Sequence, residues 1–177
     1  MRSKAVFLDR DGVINVEKEY LHSWQDFEFL PTVLDTCRKI NAAGYLIVII
    51  TNQSGIARGY YTMSDFEVLT ARMLEAFREQ GVEVADVYCC PHHPDYDGAC
   101  LCRKPEPGMI LQAVTDFDID VSKSILAGDK ESDIEAGINA GVRRNFLMQT
   151  GHDIDAANTK ADAVLSSLKA LIAYLDD

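Results

Sequence analysis

Phe7-Leu8-Asp9-Arg10-Asp11-Gly12-Val13 closes the apolar run Ala5-Val6-Phe7-Leu8, and its reading decides the fold. A run this short, apolar throughout, reads as a buried central strand. It delivers Asp9 and Asp11 to the strand's end, with a glycine directly behind them. Residues two apart on an extended backbone share a side, so the two carboxylates are expected to converge on one point. Carboxylates placed like that repel each other unless a cation or a proton separates them. The arrangement suits a magnesium ion with one nucleophilic and one proton-shuttling carboxyl group. The plainer alternative is an Asp-rich turn at a strand end.

Outward from that strand, apolar runs recur at Leu46–Ile50, Val84–Cys89, Ser124–Ala127, Asn145–Met148 and Ala163–Leu165. Helical spacing separates most of them. Val33–Ala43 puts Val33, Leu34, Cys37 and Ile40 on one face and stops at Gly44. Ser64–Gln80 opens on Ser64-x-x-Glu67, the pattern of a capping box, and turns Phe66, Leu69, Met73, Leu74 and Phe77 inward. Pro107–Phe117, Glu131–Ala140 and Ser166–Leu175 complete the helices. Strand and helix in alternation predict an α/β fold, a Rossmann-like parallel sheet with helices on both faces. Two stretches without periodicity, Glu17–Phe29 and Cys90–Pro107, are long enough to be functional loops.

The 177 residues fit one domain, residues 1–177, with no linker or repeat. No stretch approaches the roughly 20 apolar residues of a membrane span. Met1-Arg2-Ser3-Lys4 runs straight into the first strand, so no export signal is expected and a cytoplasmic location is the default. A net charge of -11 argues against nucleic acid as a partner. The same charge requires any anionic substrate to be met by a few concentrated cations. Five cysteines, an odd number, favour metal binding over a disulfide framework.

Further strand ends and helix starts carry chemistry. Ile49-Ile50-Thr51-Asn52-Gln53-Ser54-Gly55 places Thr51 at a carboxyl edge, where open parallel sheets bind ligands, with small-residue amides behind it for phosphate. Arg103-Lys104-Pro105 precedes a helix, and a lysine there offers a compact positive charge. Gly128-Asp129-Lys130-Glu131-Ser132-Asp133 opens the next helix; Asp129 is a natural oxygen ligand for magnesium, and Asp133 stands one turn further on. Acids at a helix start also suit the macrodipole, which is the plainer reading of Asp133. Finally, Cys90-x-His92 and Cys100-x-Cys102, seven residues apart, offer three thiolates and an imidazole, a closed set for structural zinc. His93 rivals His92, while Cys37 and Cys89 read as core residues.

In this order the motifs resemble those of the haloacid dehalogenase (HAD) superfamily: DxDx[TV] at Asp9–Val13, a strand-end Thr at Thr51, a Lys before a helix at Lys104, and GDxxxD at Gly128–Asp133. Val13 stands where Thr is frequent. Only 41 residues separate Asp9 from Thr51 and 52 separate Thr51 from Lys104, which leaves no room for a cap domain, so the two loops must shape the pocket. Nearly the whole chain is similar to the D-glycero-D-manno-heptose-1,7-bisphosphate 7-phosphatase family. The likeness runs through Phe7–Val16, Thr51–Gly59, Cys90-Pro91-His92-His93-Pro94, Cys102-Arg103-Lys104-Pro105 and Gly128-Asp129-Lys130.

That resemblance implies a magnesium-dependent phosphatase that removes the C7 phosphate of a small-molecule sugar bisphosphate. The product would feed nucleotide-heptose synthesis for lipopolysaccharide core or S-layer glycan. Asp9 is expected as nucleophile and Asp11 as acid and base, with Thr51 and Lys104 stabilising the transferring oxygens. Magnesium is expected on Asp9, Asp129 and the backbone carbonyl of Asp11. Structural zinc is expected on Cys90, His92, Cys100 and Cys102, in a loop over residues 89–105; the CxH spacing of the family selects His92. Substrate contacts are expected from Glu17, Tyr20, Asn52, Gln53 and Ser54, with Arg58, Arg103 and Lys130 for the distal phosphate. A monomer is expected. Histidinol-phosphate phosphatases share the zinc loop, but Ser54-Gly55-Ile56-Ala57-Arg58-Gly59 fits them poorly. DNA 3′-phosphatases share Thr51-Asn52-Gln53 but neither the zinc loop nor a tolerance for this charge. A zinc-stabilised binding module without catalysis would not need Asp9, Asp11, Lys104 and Asp129 together.

Overall fold

A computed structural model describes residues 2–175. Six strands, β1 (Lys4–Leu8), β2 (Tyr45–Asn52), β3 (Asp86–Cys90), β4 (Ile125–Gly128), β5 (Arg144–Met148) and β6 (Ala163–Leu165), form one sheet in the order β3-β2-β1-β4-β5-β6. Every neighbouring pair is parallel. In register, Val6 lies between Ile47 and Ile125. The helices are α1 (Val33–Ala42), α2 (Met63–Glu79), the single turn α3 (Pro94–Asp97), α4 (Gly108–Phe117) and α5 (Glu131–Ala140). From β1 the chain winds outward through β2 to β3, then crosses back to β4 and winds the other way. The strand order therefore reverses between β1 and β4, where a crevice opens beyond the carboxyl ends.

Right-handed crossovers put helices that wind in opposite directions on opposite faces. Val6, Leu8, Ile47 and Ile49 meet Val33, Cys37 and Ile40 of α1 and Met73 and Phe77 of α2. On the other face Ala5, Phe7, Val48 and Ile50 meet Met109, Ile110 and Ala113 of α4 and Ile134 and Ala136 of α5. Each fully buried Leu, Ile or Phe contributes roughly 1.5–3 kcal/mol, so strand β1, wholly buried from Ala5 to Leu8, is a firm base for the Asp9–Val13 turn. No helix among the described residues is long and apolar enough to cross a membrane.

Several boundaries differ from the sequence expectation. The capping box of α2 is Thr62 with Asp65, not Ser64 with Glu67: Asp65 N donates to Thr62 Oγ1 (3.1 Å) and Thr62 N to Asp65 Oδ2 (2.8 Å). Both boxes fit the sequence, and the earlier one lengthens the helix by a half turn. The closing segment is a 3-10 helix, Leu168–Tyr174, rather than an α-helix over Ser166–Leu175. Leu168, Leu171 and Tyr174 recur every three residues, the period of a 3-10 turn, and all three face the sheet. The polar stretch between the cysteine pairs folds α3 beneath a His93 cap, and Cys89 is only partly buried while Cys37 is fully so.

Candidate active site

Beyond Leu8 the chain stays on the sheet for one more bond, Asp9 N to Ala127 O (3.1 Å), and then turns on itself. Val13 N and Ile14 N both donate to Arg10 O (3.2 and 2.8 Å). Asp9 is held beside Lys104, whose Nζ donates to Asp9 Oδ1 (2.9 Å), pairs with Asp133 Oδ1 (2.7 Å) and donates to Ile50 O (2.9 Å). Lys104 is buried, 4% exposed. Burial works against its charge, but Asp133 and Asp9 outweigh it and hold the ammonium well above its ordinary range. For Asp9, burial pushes the carboxyl up, Asp133 and Asp129 push it further, and Lys104 opposes them.

Asp11 lines the same cleft as Asp9 but stands outside the carboxylate group that Asp9 forms with Asp129 and Asp133. Its carboxylate takes Nη2 of the buried Arg10 on both oxygens (2.9 Å each), Asn15 Nδ2 (3.0 Å) and Gln53 Nε2 (3.0 Å). Arg10 Nη2 also donates to Leu21 O (3.1 Å), which ties the first long loop to the same group. Gln53 Nε2 reaches Thr51 Oγ1 as well (2.8 Å), and its Oε1 accepts from the Tyr61 hydroxyl. Thr51 is 1% exposed and stands behind the cleft rather than in its wall. Asn52 pairs both ways with the backbone of Lys104, Nδ2 to O (3.2 Å) and N to Oδ1 (3.1 Å), so it fastens the lysine to the end of β2.

The residues that come together with Asp9 are Asp129 and Asp133, each offering an oxygen within 4.8 Å of the others. Asp129 is fully buried at the end of β4. Its Oδ2 accepts from His152 N (2.9 Å) and His152 Nδ1 (2.6 Å), while Oδ1, equally buried, has no hydrogen-bond partner among the described residues. Gly12 sits against it at φ +84, where a side chain is disfavoured and an added Cβ would stand 2.3 Å from Asp129 Oδ2. Three carboxylates face a single ammonium, two negative charges in excess in a low-dielectric site. An all-oxygen donor set with an orphaned carboxylate oxygen fits a magnesium ion.

These groups form the floor of a cleft of about 520 Å³, walled by Glu17, Tyr20, Asn52, Gln53, Ser54, Arg58, Arg103, Lys130 and His152 among others. All eight expected substrate-contact residues line it. Burial and the nearby Asp11 raise the Glu17 carboxyl, against His152 and Lys130. Arg58 also braces α3: its Nη2 stands 3.1 Å from His93 Nε2 and its guanidinium lies over the Tyr96 ring (5.2 Å). Arg103 Nη1 donates to His92 O (3.2 Å).

The second cluster lies in the loop that ends at Arg103. Cys100 Sγ stands 3.6 Å from Cys90 Sγ and 3.5 Å from Cys102 Sγ, and Cys102 and Cys90 are 2.7 Å apart. Zinc–sulfur bonds of about 2.3 Å give tetrahedral edges near 3.8 Å, so the two edges to Cys100 are close to the spacing zinc takes, while the Cys90–Cys102 edge is well short of it and would have to open. The His92 ring lies outside this triangle, with Nδ1 on Asp97 Oδ2 (2.7 Å). His93 Nδ1 accepts from the Asp95 N–H that it caps (3.2 Å), and its Nε2 faces Arg58. Gln53 N to Cys90 O (2.7 Å) and Ala57 N to Pro91 O (3.2 Å) bind this loop to the segment after β2.

Sequence reasoning assigned no role to His152, Ser132, Glu19 or Tyr61, all of which line the cleft. For His152 a signal existed: Thr150-Gly151-His152 follows a strand that ends on the same edge as the other motifs. Residues 101–171 match a family model described as HAD-hydrolase-like. Over 169 residues, 93% of the chain and 91% of the relative, the chain is 47% identical to a D-glycero-alpha-D-manno-heptose-1,7-bisphosphate 7-phosphatase of Photorhabdus laumondii. It is 43% identical over 171 residues to a D-glycero-beta-D-manno-heptose-1,7-bisphosphate 7-phosphatase of Haemophilus influenzae, covering 94% of the chain and 93% of the relative. A crystal structure of D,D-heptose 1,7-bisphosphate phosphatase from B. bronchiseptica, complexed with magnesium and phosphate, superposes with a TM-score of 0.85 at 30% identity, 97% of each chain being covered.

Proposed function

We infer the chemistry of this cleft from one premise: the chain belongs to the D-glycero-D-manno-heptose-1,7-bisphosphate 7-phosphatase family of HAD-like hydrolases. It is a phosphoric monoester hydrolase that removes the C7 phosphate of heptose 1,7-bisphosphate and leaves heptose 1-phosphate. The observation that carries this reading is Lys104, buried between Asp9 and Asp133 beside an unpartnered oxygen of Asp129.

Asp9 attacks phosphorus, forming an aspartyl-phosphate as the bond to O7 breaks. Asp11, held in the cleft by Arg10, Asn15 and Gln53, gives its proton to O7, then takes one from the water that attacks the phosphoryl group and frees Asp9. Lys104 stabilises charge on the transferring oxygens and opposes the burial that pushes the Asp9 carboxyl up. Thr51, which stands behind the wall, acts through Gln53, and Asn52 acts by fixing Lys104. Asp9, Asp129 and the Asp11 carbonyl would hold magnesium, which when bound offsets the repulsion between carboxylates and phosphate. Cys90, Cys100, Cys102 and His92 would hold zinc, which when bound cross-links the loop leading to Arg103 and Lys104. Glu17, Tyr20 and Ser54 contact the sugar, and Arg103 and Lys130 take the distal phosphate.

Phosphate release from both anomers of heptose 1,7-bisphosphate, from histidinol phosphate and from a 3′-phosphorylated oligonucleotide tests the reading. A heptose bisphosphate is expected to lead by orders of magnitude. A lead for histidinol phosphate would overturn it.

A further inference from the structure

The loop after β5 closes over the carboxylate group, and no step of the phosphoryl transfer uses it. Thr150 Oγ1 donates to the carbonyl of Gly12 (2.7 Å), fastening this loop to the turn behind Asp11. Gly151 follows in contact with both partners: a Cβ there would lie 2.0 Å from Asp129 Oδ2 and 2.7 Å from the Gly12 Cα. His152 then places its backbone N–H and its ring Nδ1 on the same oxygen, Asp129 Oδ2. A carboxylate only accepts, so both nitrogens are donors here.

The two oxygens of one buried carboxylate are thus treated oppositely. Oδ2 receives two donors and is packed against two glycines, while Oδ1 has no hydrogen-bond partner among the described residues, in a carboxylate that clusters with those of Asp9 and Asp133. A carboxylate meant only to brace the fold would have both oxygens satisfied. Pinning one oxygen fixes the rotation of the whole group and so fixes where the other points.

We propose that Thr150-Gly151-His152 is the positioning segment of the magnesium site, with His152 orienting Asp129 so that Oδ1 alone meets the cation. His152 is then a positioning residue, acting through Asp129. This rests on the magnesium reading of Asp9 and Asp129, and the test separates the two.

Magnesium is titrated into wild type, His152→Ala, His152→Asn and Gly151→Ala without substrate, and followed by calorimetry and by the rise in thermal midpoint. The His152 side chain is 38% exposed, so its truncation leaves the fold in place. Outer-shell partners of ligands typically govern affinity by about 10- to 100-fold, so His152→Ala is expected to need at least about tenfold more magnesium for half-saturation. His152→Asn, which returns an N–H near the position of Nδ1, is expected to recover most of that loss. Gly151→Ala, whose Cβ displaces Asp129, is expected to lose more than His152→Ala. In turnover the same ranking appears in the magnesium concentration for half-maximal rate, more than in the rate at saturation. Half-saturation in His152→Ala equal to wild type, or an Asn variant no better than Ala, overturns the proposal. Wild type that takes up no magnesium overturns the magnesium reading itself, and the proposal with it.

Discussion

The carboxylate group at the sheet edge and the thiol group in the loop are both candidate metal sites, and they are built in opposite ways. Asp9, Asp129 and Asp133 are buried and stand on or directly after β1, β4 and the first turn of α5. Their backbone is fixed by a sheet that needs no metal to form, and the metal relieves a charge problem the fold creates. Cys100 and Cys102 lie on irregular chain, and the adjoining segment contains one helical turn and the largely exposed Tyr96 and Leu101. Here little apolar burial offsets the cost of order, so a metal held by the thiols would organise the chain. The three thiols differ: the N–H groups of Arg103 and Cys102 draw Cys100 down against its burial, whereas burial holds Cys90 and Cys102 up. Lys104 belongs to both regions, ending the thiol loop and completing the carboxylate group.

If that contrast holds, damage to the two regions separates activity from stability. Asp9→Asn keeps the shape and removes the nucleophile, so turnover is expected to fall more than about a thousandfold. Stability moves the other way: one of three crowded carboxylates is gone, and the thermal midpoint of magnesium-free Asp9→Asn is expected to equal or exceed that of wild type. A clear drop in midpoint would show that the carboxylate group braces the fold and would break the contrast. Chelation sharpens it further. Mild EDTA is expected to abolish turnover and added magnesium to restore it, while metal analysis still finds about one zinc per chain, as a closed four-ligand site requires.

Cys100→Ser attacks the other region. Zinc is expected to be lost and the loop to loosen. A cross-link over a loop this short contributes roughly 3 kcal/mol. About 2–4 °C accompany each kcal/mol in a chain of this size, so the midpoint should fall by roughly 6–12 °C. Activity should fall about tenfold or more, since Lys104 loses part of its support and small displacements of a catalytic group are costly. Zinc loss with an unchanged midpoint would mean that the bonds from Gln53 and Ala57 to this loop already suffice.

The sheet-edge site was legible in the sequence to the extent that strands were. Apolar runs mark β1, β2 and β4 without ambiguity, and polar residues just beyond parallel strands fall on one edge by topology alone. Position along a strand does not name hydrogen-bond partners once the strand ends, which is why the bonds of Asp11 to Arg10 and Gln53 were not foreseen. Likewise Thr51 and Asn52 sit at the expected edge yet serve Gln53 and Lys104. The clamp on Asp129 was hidden because it pairs residues 23 apart, Asp129 and His152, through a loop with no composition signal beyond one glycine. Arg58 lines the cleft as expected, but nothing local announces that His93 and Tyr96 also fold back onto it.

Arg103 gives the smallest and most discriminating effect, because it has a foot in each region. Nη1 holds the His92 carbonyl, and the side chain also lines the cleft. Loss of the first contact loosens the thiol loop and lowers turnover of every substrate alike. Loss of the second removes a charged hydrogen-bond partner of the distal phosphate and lowers turnover of bisphosphate alone. A charged hydrogen bond contributes roughly 1.5–3 kcal/mol, so Arg103→Ala is expected to cost about 10- to 100-fold in kcat/KM for the bisphosphate. The cost for a small monophosphate should stay within about threefold, with zinc content unchanged. Arg103→Lys keeps the charge but not the planar fork, and is expected to recover only part of the loss. Equal losses on both substrates would assign Arg103 to the loop, and leave the distal phosphate to Lys130.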